Sequence, residues 1–226
     1  MKVMFTRLIA GVAYAGIAAG SALVPTASAA IVINGDFAIG DFTGWTLFIT
    51  PNGSLGPFGS GLPAVTSFNV TGSGVQNAAT FQVGEVVFDG TQQGGGITQT
   101  VTLPGGPISF SANIASLGDT VLNSVNAEGG VFKVLLDGVT EDTLEIGPIN
   151  PDAVIRDILS FTTTESAGAH TLEILVTRPF TNLIPGGTPD QFITNIEIAA
   201  AVPEPASLAL LAAGLLSFAA VRRWPS

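Results

Sequence analysis

The chain has 226 residues, with 17 Asp plus Glu against 7 Lys plus Arg, a single histidine and no cysteine. Its formal net charge of −10 opposes contact with phosphate backbones and anionic headgroups, which excludes nucleic acid as a partner. Without thiols there are no disulfides, no cysteine nucleophile and no thiolate metal centre, and one histidine is too few for a zinc site.

At the N-terminus, Lys2 and Arg7 precede an apolar stretch over residues 8–24, and Pro25-Thr26-Ala27-Ser28-Ala29-Ala30 offers the small-x-small pattern of signal peptidase. This predicts a signal helix over residues 1–30, export through the Sec machinery, and cleavage at Ala27 and Ala29, so that the mature chain begins at Ala30 or Ile31. Residues 31–202 hold sixteen acids against Lys133, Arg156 and Arg178; 3 − 16 leaves −13.

Period-two alternation marks the region that follows. Ile108, Phe110, Ala112 and Ile114 share one face while Ser109, Ser111 and Asn113 share the other; Thr98, Thr100 and Thr102 alternate with Ile97, Val101 and Leu103. Similar runs cover residues 44–50, 64–70, 85–88, 131–136, 155–161, 170–177 and 192–198. Asp89-Gly90, Gly94-Gly95-Gly96, Pro104-Gly105-Gly106-Pro107, Asp137-Gly138 and Pro185-Gly186-Gly187-Thr188-Pro189 read as the turns between them. Roughly nine or ten short strands with almost no helix predict an all-β antiparallel sandwich or barrel over residues 31–198.

After a short linker at 199–202, Pro203-Glu204-Pro205 leads into an uncharged apolar run at 206–221 and then Arg222-Arg223. As a helix this run spans about 24 Å, near enough to a hydrocarbon core of about 30 Å for snorkelling arginines to close the gap. Pro205 suits a first helical turn, and Glu204 sits at the positive end of the helix dipole. Arg222 and Arg223 form a stop-transfer signal. A buried core helix would show a polar stripe, whereas this run offers only Ser207 and Ser217.

No motif announces catalysis. His170 shares a face with Leu172, Ile174 and Val176 after a glycine turn, as a structural strand-end histidine does. Glu141-Asp142 and Glu145 form a solvated acidic face, and Gly94-Gly95-Gly96 lacks the Lys-Ser/Thr of a phosphate loop. Two carboxylates flanking a sugar remain the one catalytic alternative, a carbohydrate-active enzyme. For ligand stacking the candidates are Trp45, which also suits the core, and Phe58 and Phe180 in Pro/Gly-rich loops.

The tail, with Pro203-Glu204-Pro205, an Ala/Leu/Gly-rich span around Gly214 and terminal arginines, resembles the PEP-CTERM proteins of Gram-negative, exopolysaccharide-producing bacteria. That resemblance implies an exosortase-type processing enzyme as partner, transient anchoring in the inner membrane, and a role for residues 203–226 as a sorting segment before the protein reaches the cell surface. Asn34-Gly35-Asp36-Phe37 followed by Gly44-Trp45, with Gly168-Ala169-His170-Thr171-Leu172 and the closing run from Phe192 to Ile198, resembles galactose-binding-like jelly rolls that include carbohydrate-binding modules. In many of those a structural calcium joins the first and last strands. The matching positions are Ala38 and Thr194, each lacking the carboxylate; Asp36, Asp41 and Asp190 are the only substitutes, and no cofactor is expected. Together these features imply a jelly-roll-like surface or exopolysaccharide-matrix protein of a biofilm, without enzymatic activity, that binds glycan weakly.

Overall fold

The computed structural model describes residues 31–120, 127–180 and 187–200. Two antiparallel strands of 25 residues each, β6 (Gln93–Leu117) and β9 (Val154–Arg178), organise the fold. They pair without a register slip from Gln93↔Arg178 to Leu117↔Val154. Around them lie β1 (Thr46–Ile49), β2 (Gly53–Ser54), β3 (Ala64–Phe68), β4 (Gln76–Phe81), β5 (Gly84–Glu85), β7 (Glu128–Leu136), β8 (Val139–Pro148) and β10 (Asp190–Ala200).

The ribbon of β6 and β9 folds over at Pro104-Gly105-Gly106-Pro107, where Gly105 and Gly106 take φ of 85° and 95°. Only glycine adopts that backbone without strain. On β6 the apolar side chains that join the main core are Ile97, Val101 and Leu103 before the corner, then Ile108, Phe110, Ala112 and Ile114 after it. The alternation changes phase at the bend, which keeps the apolar side inward in both halves. Residues 93–103 of β6 and 168–178 of β9 pair into a layer ordered β1-β6-β9-β7-β8, and residues 106–117 of β6 and 154–165 of β9 into a layer ordered β3-β4-β10-β6-β9. One core fills the space between, including Phe81, Ile97, Ile114, Phe132, Leu159, Ile174 and Ile193, all at 0% exposure. Phe110 and Phe161 are register partners whose rings stack at 5.1 Å, an arrangement that adds about 0.5–1.5 kcal/mol beyond the area buried. This is an all-β, jelly-roll-like antiparallel sandwich.

The opening segment closes one end. Gly35 O accepts from Ile196 N at 2.9 Å, and a Cβ at Gly35 would stand 2.1 Å from the Ile196 carbonyl oxygen. Phe37 is fully buried, and Trp45, 7% exposed, donates from Nε1 to Asn34 O at 3.1 Å. The Asn-Gly and Gly-Trp pairs of the sequence are therefore a docking device: glycine gives clearance, Trp and Phe give the apolar plug.

Two turn expectations fail. Gly94-Gly95-Gly96 lies inside β6, where added Cβ atoms would meet Val176 O, Phe48 O and Ile174 O at 2.1, 2.2 and 1.8 Å, so the glycines serve close backbone approach. Pro104-Gly105-Gly106-Pro107 bends a strand without ending it. Asp137-Gly138 does form the β7–β8 hairpin turn, with Asp137 at φ 51°.

Candidate functional site

The outer face of the second layer carries a groove of about 390 Å³, floored by β3, β4 and β10 and rimmed by Ser60 and Leu62. Side chains alternate, so the parity that turns Val65, Ala79 and Ile193 into the core turns Thr66, Phe68, Thr80, Asp190 and Phe192 outward. The Phe68 and Phe192 rings stack at 3.9 Å and 7°. Phe192 is buried beneath; Phe68 is half-buried and presents a flat apolar surface to the groove. Beside them Thr66 and Thr80 hydroxyls meet at 2.6 Å, and Gln82 Nε2 donates to Asp190 Oδ1 at 2.8 Å and to Thr188 O at 3.3 Å.

Among the described residues, Asp190 is the one titratable group lining this groove. Burial pushes its carboxyl up to about 6, opposed by the Gln82 hydrogen bond and reinforced by the charge of Asp119. Further along the same face a second concavity of about 300 Å³ is lined by Val70, Thr71, Asn113, Arg156, Asp157 and Ile158, with Arg156 Nε donating to Asn69 O at 3.0 Å. A third, of about 420 Å³ beside Ala199 and Ala200, has only Pro, Ile, Ser, Thr and Ala walls and offers neither an aromatic plane nor a charge.

The sequence candidates fall elsewhere. Trp45 is a core residue by burial. Phe58 stands 94% exposed in the loop after β2. Phe180 is half-buried and meets Phe88 edge-to-face at 6.4 Å and 78°, and Phe88 itself is 68% exposed. Phe68 and Phe192 are not among the sequence candidates, although an aromatic on the polar side of an alternating strand, in phase with Thr66 or Thr194, is the signal that finds them. Ala27, Ala29, Pro203, Glu204, Pro205, Arg222 and Arg223 lie outside the described residues, as do the segments of the two helices expected from the sequence; among the described residues no helix is long and apolar enough to cross a membrane.

Both nitrogens of His170 are engaged: Nδ1 with Asp137 Oδ2 at 2.7 Å and Nε2 with Ser166 O at 3.0 Å. Its pKa is raised, first by the Asp137 hydrogen bond and then by the Ser166 carbonyl. With both positions taken by a carboxylate and a carbonyl, the ring's geometry is that of a hairpin lock. Glu141, Asp142 and Glu145 lie on the edge strand β8, where Asp142 Oδ2 accepts from Ser160 N at 2.9 Å and ties β8 to the opposite layer. Arg178, 0% exposed, donates to Glu128 O, Val83 O and Phe180 O, gathering three segments at the loop end; burial lowers its pKa to about 9, which leaves it cationic at neutral pH.

The calcium position of the galactose-binding-like modules does not fit this chain. Ala38 offers only a backbone N–H to Asp36 Oδ1 at 3.1 Å, and fully buried Thr194 donates to Asn77 O at 2.7 Å, while Asn77 Nδ2 donates to Phe37 O at 3.0 Å. Neutral hydrogen bonds join the strands there. Asp41 Oδ1 caps Thr43 N at 2.8 Å, and Asp190 opens β10, far along the strand from Ile196 and the docked Gly35. Among the described residues no three His, Cys, Asp or Glu side chains converge.

No curated protein matches the chain. In overall shape it is similar to a family 61 carbohydrate-binding module, TmCBM61, solved with β-1,4-galactotriose (15% identity, 76% of this chain and 99% of that one, TM-score 0.44). It is also similar to the CBM36-1 domain of a multidomain xylanase from the hindgut metagenome of Trinervitermes trinervoides (15%, 70% and 99%, TM-score 0.33) and to a family 35 module from Clostridium thermocellum (10%, 71% and 95%, TM-score 0.33). Residues 201–223 match the PEP-CTERM protein-sorting motif. That motif implies exosortase processing of an exported protein that is at least transiently anchored in a membrane. The chain is thus an all-β sandwich carrying a PEP-CTERM sorting tail at residues 201–223.

Proposed function

We propose that this is a non-enzymatic surface or exopolysaccharide-matrix protein whose sandwich, residues 31–198, holds an extracellular glycan chain in the β3–β4–β10 groove. The observation that carries the reading is Asp190 beside the Phe68–Phe192 stack. A carboxyl held up at about 6 by burial destabilises the fold at neutral pH, and such groups concentrate where a ligand uses them. Phe68 supplies the flat face on which a pyranose ring stacks, and Thr66, Thr80 and Asp190 supply hydrogen-bond partners for its hydroxyls. Phe58 and Phe180 would add stacking surface at the loop end.

Each of the two concavities on this face is lined by one carboxylate among the described residues, Asp190 in the first and Asp157 in the second. Glycoside cleavage uses a pair about 5–10 Å apart across the scissile bond, so the groove supports binding without turnover. In this reading residues 1–30 are removed by signal peptidase after Sec export, the linker expected at 199–202 is shortened to 201–202 because Ala199 and Ala200 pair with Ser109 and Ile108 in β10, and 203–226 deliver the protein to an exosortase-type enzyme. A glycan array combined with a hydrolysis screen tests it. Binding without product, lost in Phe68→Ala, is expected; turnover lost on changing one carboxylate would refute it. Mass spectrometry of the native C-terminus, expected near Pro205, tests the tail.

A further inference from the structure

At the loop end of the sandwich, Glu85 of β5 is a fully buried carboxylate. Its Oε1 accepts three hydrogen bonds, from Asn52 Nδ2, Asp89 N and Thr91 Oγ1, each at 3.1 Å. Its Oε2 is buried with no hydrogen-bond partner among the described residues. A buried carboxylate oxygen left bare costs on the order of 1–3 kcal/mol or more, and a proton, a water or an ion bound there would remove that cost.

The surrounding groups indicate which. The Asp89 carboxylate is drawn to the same Thr91: its Oδ1 accepts from Thr91 N at 3.0 Å and from Thr91 Oγ1 at 2.6 Å, the hydroxyl that also reaches Glu85 Oε1. Thr91 has one hydroxyl hydrogen for two carboxylates. The Asp89-Gly90 turn, with Gly90 at φ 85°, brings Asp89 and Thr91 back onto Glu85, while Asn52 clamps the loop through Val87 O at 2.7 Å and Val87 N at 3.0 Å. Two carboxyls gathered on one hydroxyl are held together by a shared proton or by a cation, and among the described residues the donors to this pair are Asn52, Asp89 N and Thr91, all neutral. Oxygen is the ligating atom these side chains offer, which selects a hard cation over a transition metal.

We propose that Glu85 and Asp89 bind a divalent cation of the calcium class, with Thr91 Oγ1 beside it and water completing the shell. Only two carboxylates contribute to the six to eight oxygens such an ion takes, so affinity falls in the range of extracellular modules, a Kd of about 0.1–1 mM. The ion would fix the loop that carries Phe88 against Phe180, so it couples to the aromatic pair at this end and is separate from the β3–β4–β10 groove.

The test is thermal unfolding and calorimetric titration of the purified protein with calcium chloride, using magnesium chloride as the comparison. A rise in Tm and a binding isotherm are expected, with the midpoint shifted at least about tenfold in Asp89→Asn and the response abolished in Glu85→Gln. Asp89 is exposed, so its variant retains the fold if the buried Glu85 variant does not. No heat and no Tm rise up to about 10 mM calcium would overturn the proposal. So would an unaltered response in Asp89→Asn. A third refuting result is the absence of a calcium response with a Tm that falls above neutral pH in the parent and not in Asp89→Asn, because the two carboxyls then share a proton.

Discussion

Replacing Asp190 by Asn should make the protein more stable at neutral pH. The folded carboxyl titrates at about 6 against an ordinary value of 3.8, because burial outweighs the Gln82 hydrogen bond. The folded state therefore binds this proton more tightly than the unfolded chain. The associated stability is fully present below about 4 and is lost as pH rises through about 6. A shift of about two units at about 1.4 kcal/mol per unit gives at most about 3 kcal/mol. Asn keeps the oxygen that accepts from Gln82 Nε2 and removes the charge. At pH 7.5 the variant should gain up to about 3 kcal/mol, or about 6–12 °C in Tm for a domain of this size, and at pH 4 it should match the parent. Urea unfolding at several pH values, followed by the fluorescence of buried Trp45, measures it. Subtracting parent from variant cancels the other carboxylates. A difference that does not grow between pH 4 and 7.5, or a variant less stable than the parent at neutral pH, would refute the reasoning. The same substitution should weaken glycan binding, the stability–function exchange expected of a groove acid.

Phe68→Ala should reduce glycan binding while the protein stays folded, whereas Phe192→Ala, which removes the buried partner of the stack, should destabilise by about 3–5 kcal/mol; affinity electrophoresis and thermal melts separate the two, and equal melting losses would contradict the outward placement of Phe68. Gly96→Ala, whose Cβ would stand 1.8 Å from Ile174 O, should cost about 1–3 kcal/mol or more by denaturant titration, and a neutral result would show that β6 and β9 do not approach so closely there. Asp137→Asn should lower the NMR titration midpoint of His170, because its hydrogen bond is the largest cause of the raised value. The histidine's contribution is complete below 6.5 and lost as pH rises through its raised folded pKa; that of Asp137, lowered chiefly by the Thr171 N–H, is present above 3.8 and lost as pH falls through its folded pKa. The hairpin lock is therefore strongest between those limits, and an unchanged His170 midpoint would argue against it.

The strands legible in the sequence are those with one wet face and one dry face. Ile108 to Ile114 and Ile97 to Leu103 alternate because the core lies on one side only, and the structure buries the expected residues. Strand β4, Gln76-Asn77-Ala78-Ala79-Thr80-Phe81, leaves no such trace because it is central and largely buried on both faces, with small residues that obscure the period. Strand β8 is hidden for the opposite reason: an acidic edge strand looks like a solvated loop. Glycines mislead most, since the same residue that ends a strand also permits backbones to meet within one, as at Gly94, Gly95 and Gly96. The groove is illegible because Phe68, Asp190 and Phe192 belong to strands far apart in the chain, and only the pairing of β10 with β4, and of β4 with β3, assembles them. Glu85 gives no sign at all: in sequence it is one acid among many, and only its burial distinguishes it.

Strand β10 carries Asp190 and Phe192 at its start and leads, through Ala200, directly into the sorting tail. For a protein held by that tail and tugged by a polymer in the groove, the share of the load taken by Asp190 and Phe192 enters and leaves on one strand. Because β10 is hydrogen-bonded on both sides, to β4 and β6, pulling along its axis shears many bonds at once and cannot unzip them singly. The bulge between Thr194 and Glu197, with Ile196 N held by Gly35 O, interrupts that ladder and is where such a strand would yield first. Force spectroscopy with handles at the tail and at Asp190 should therefore show slippage near the bulge before any global rupture, and rupture in a single step would contradict this mechanical picture.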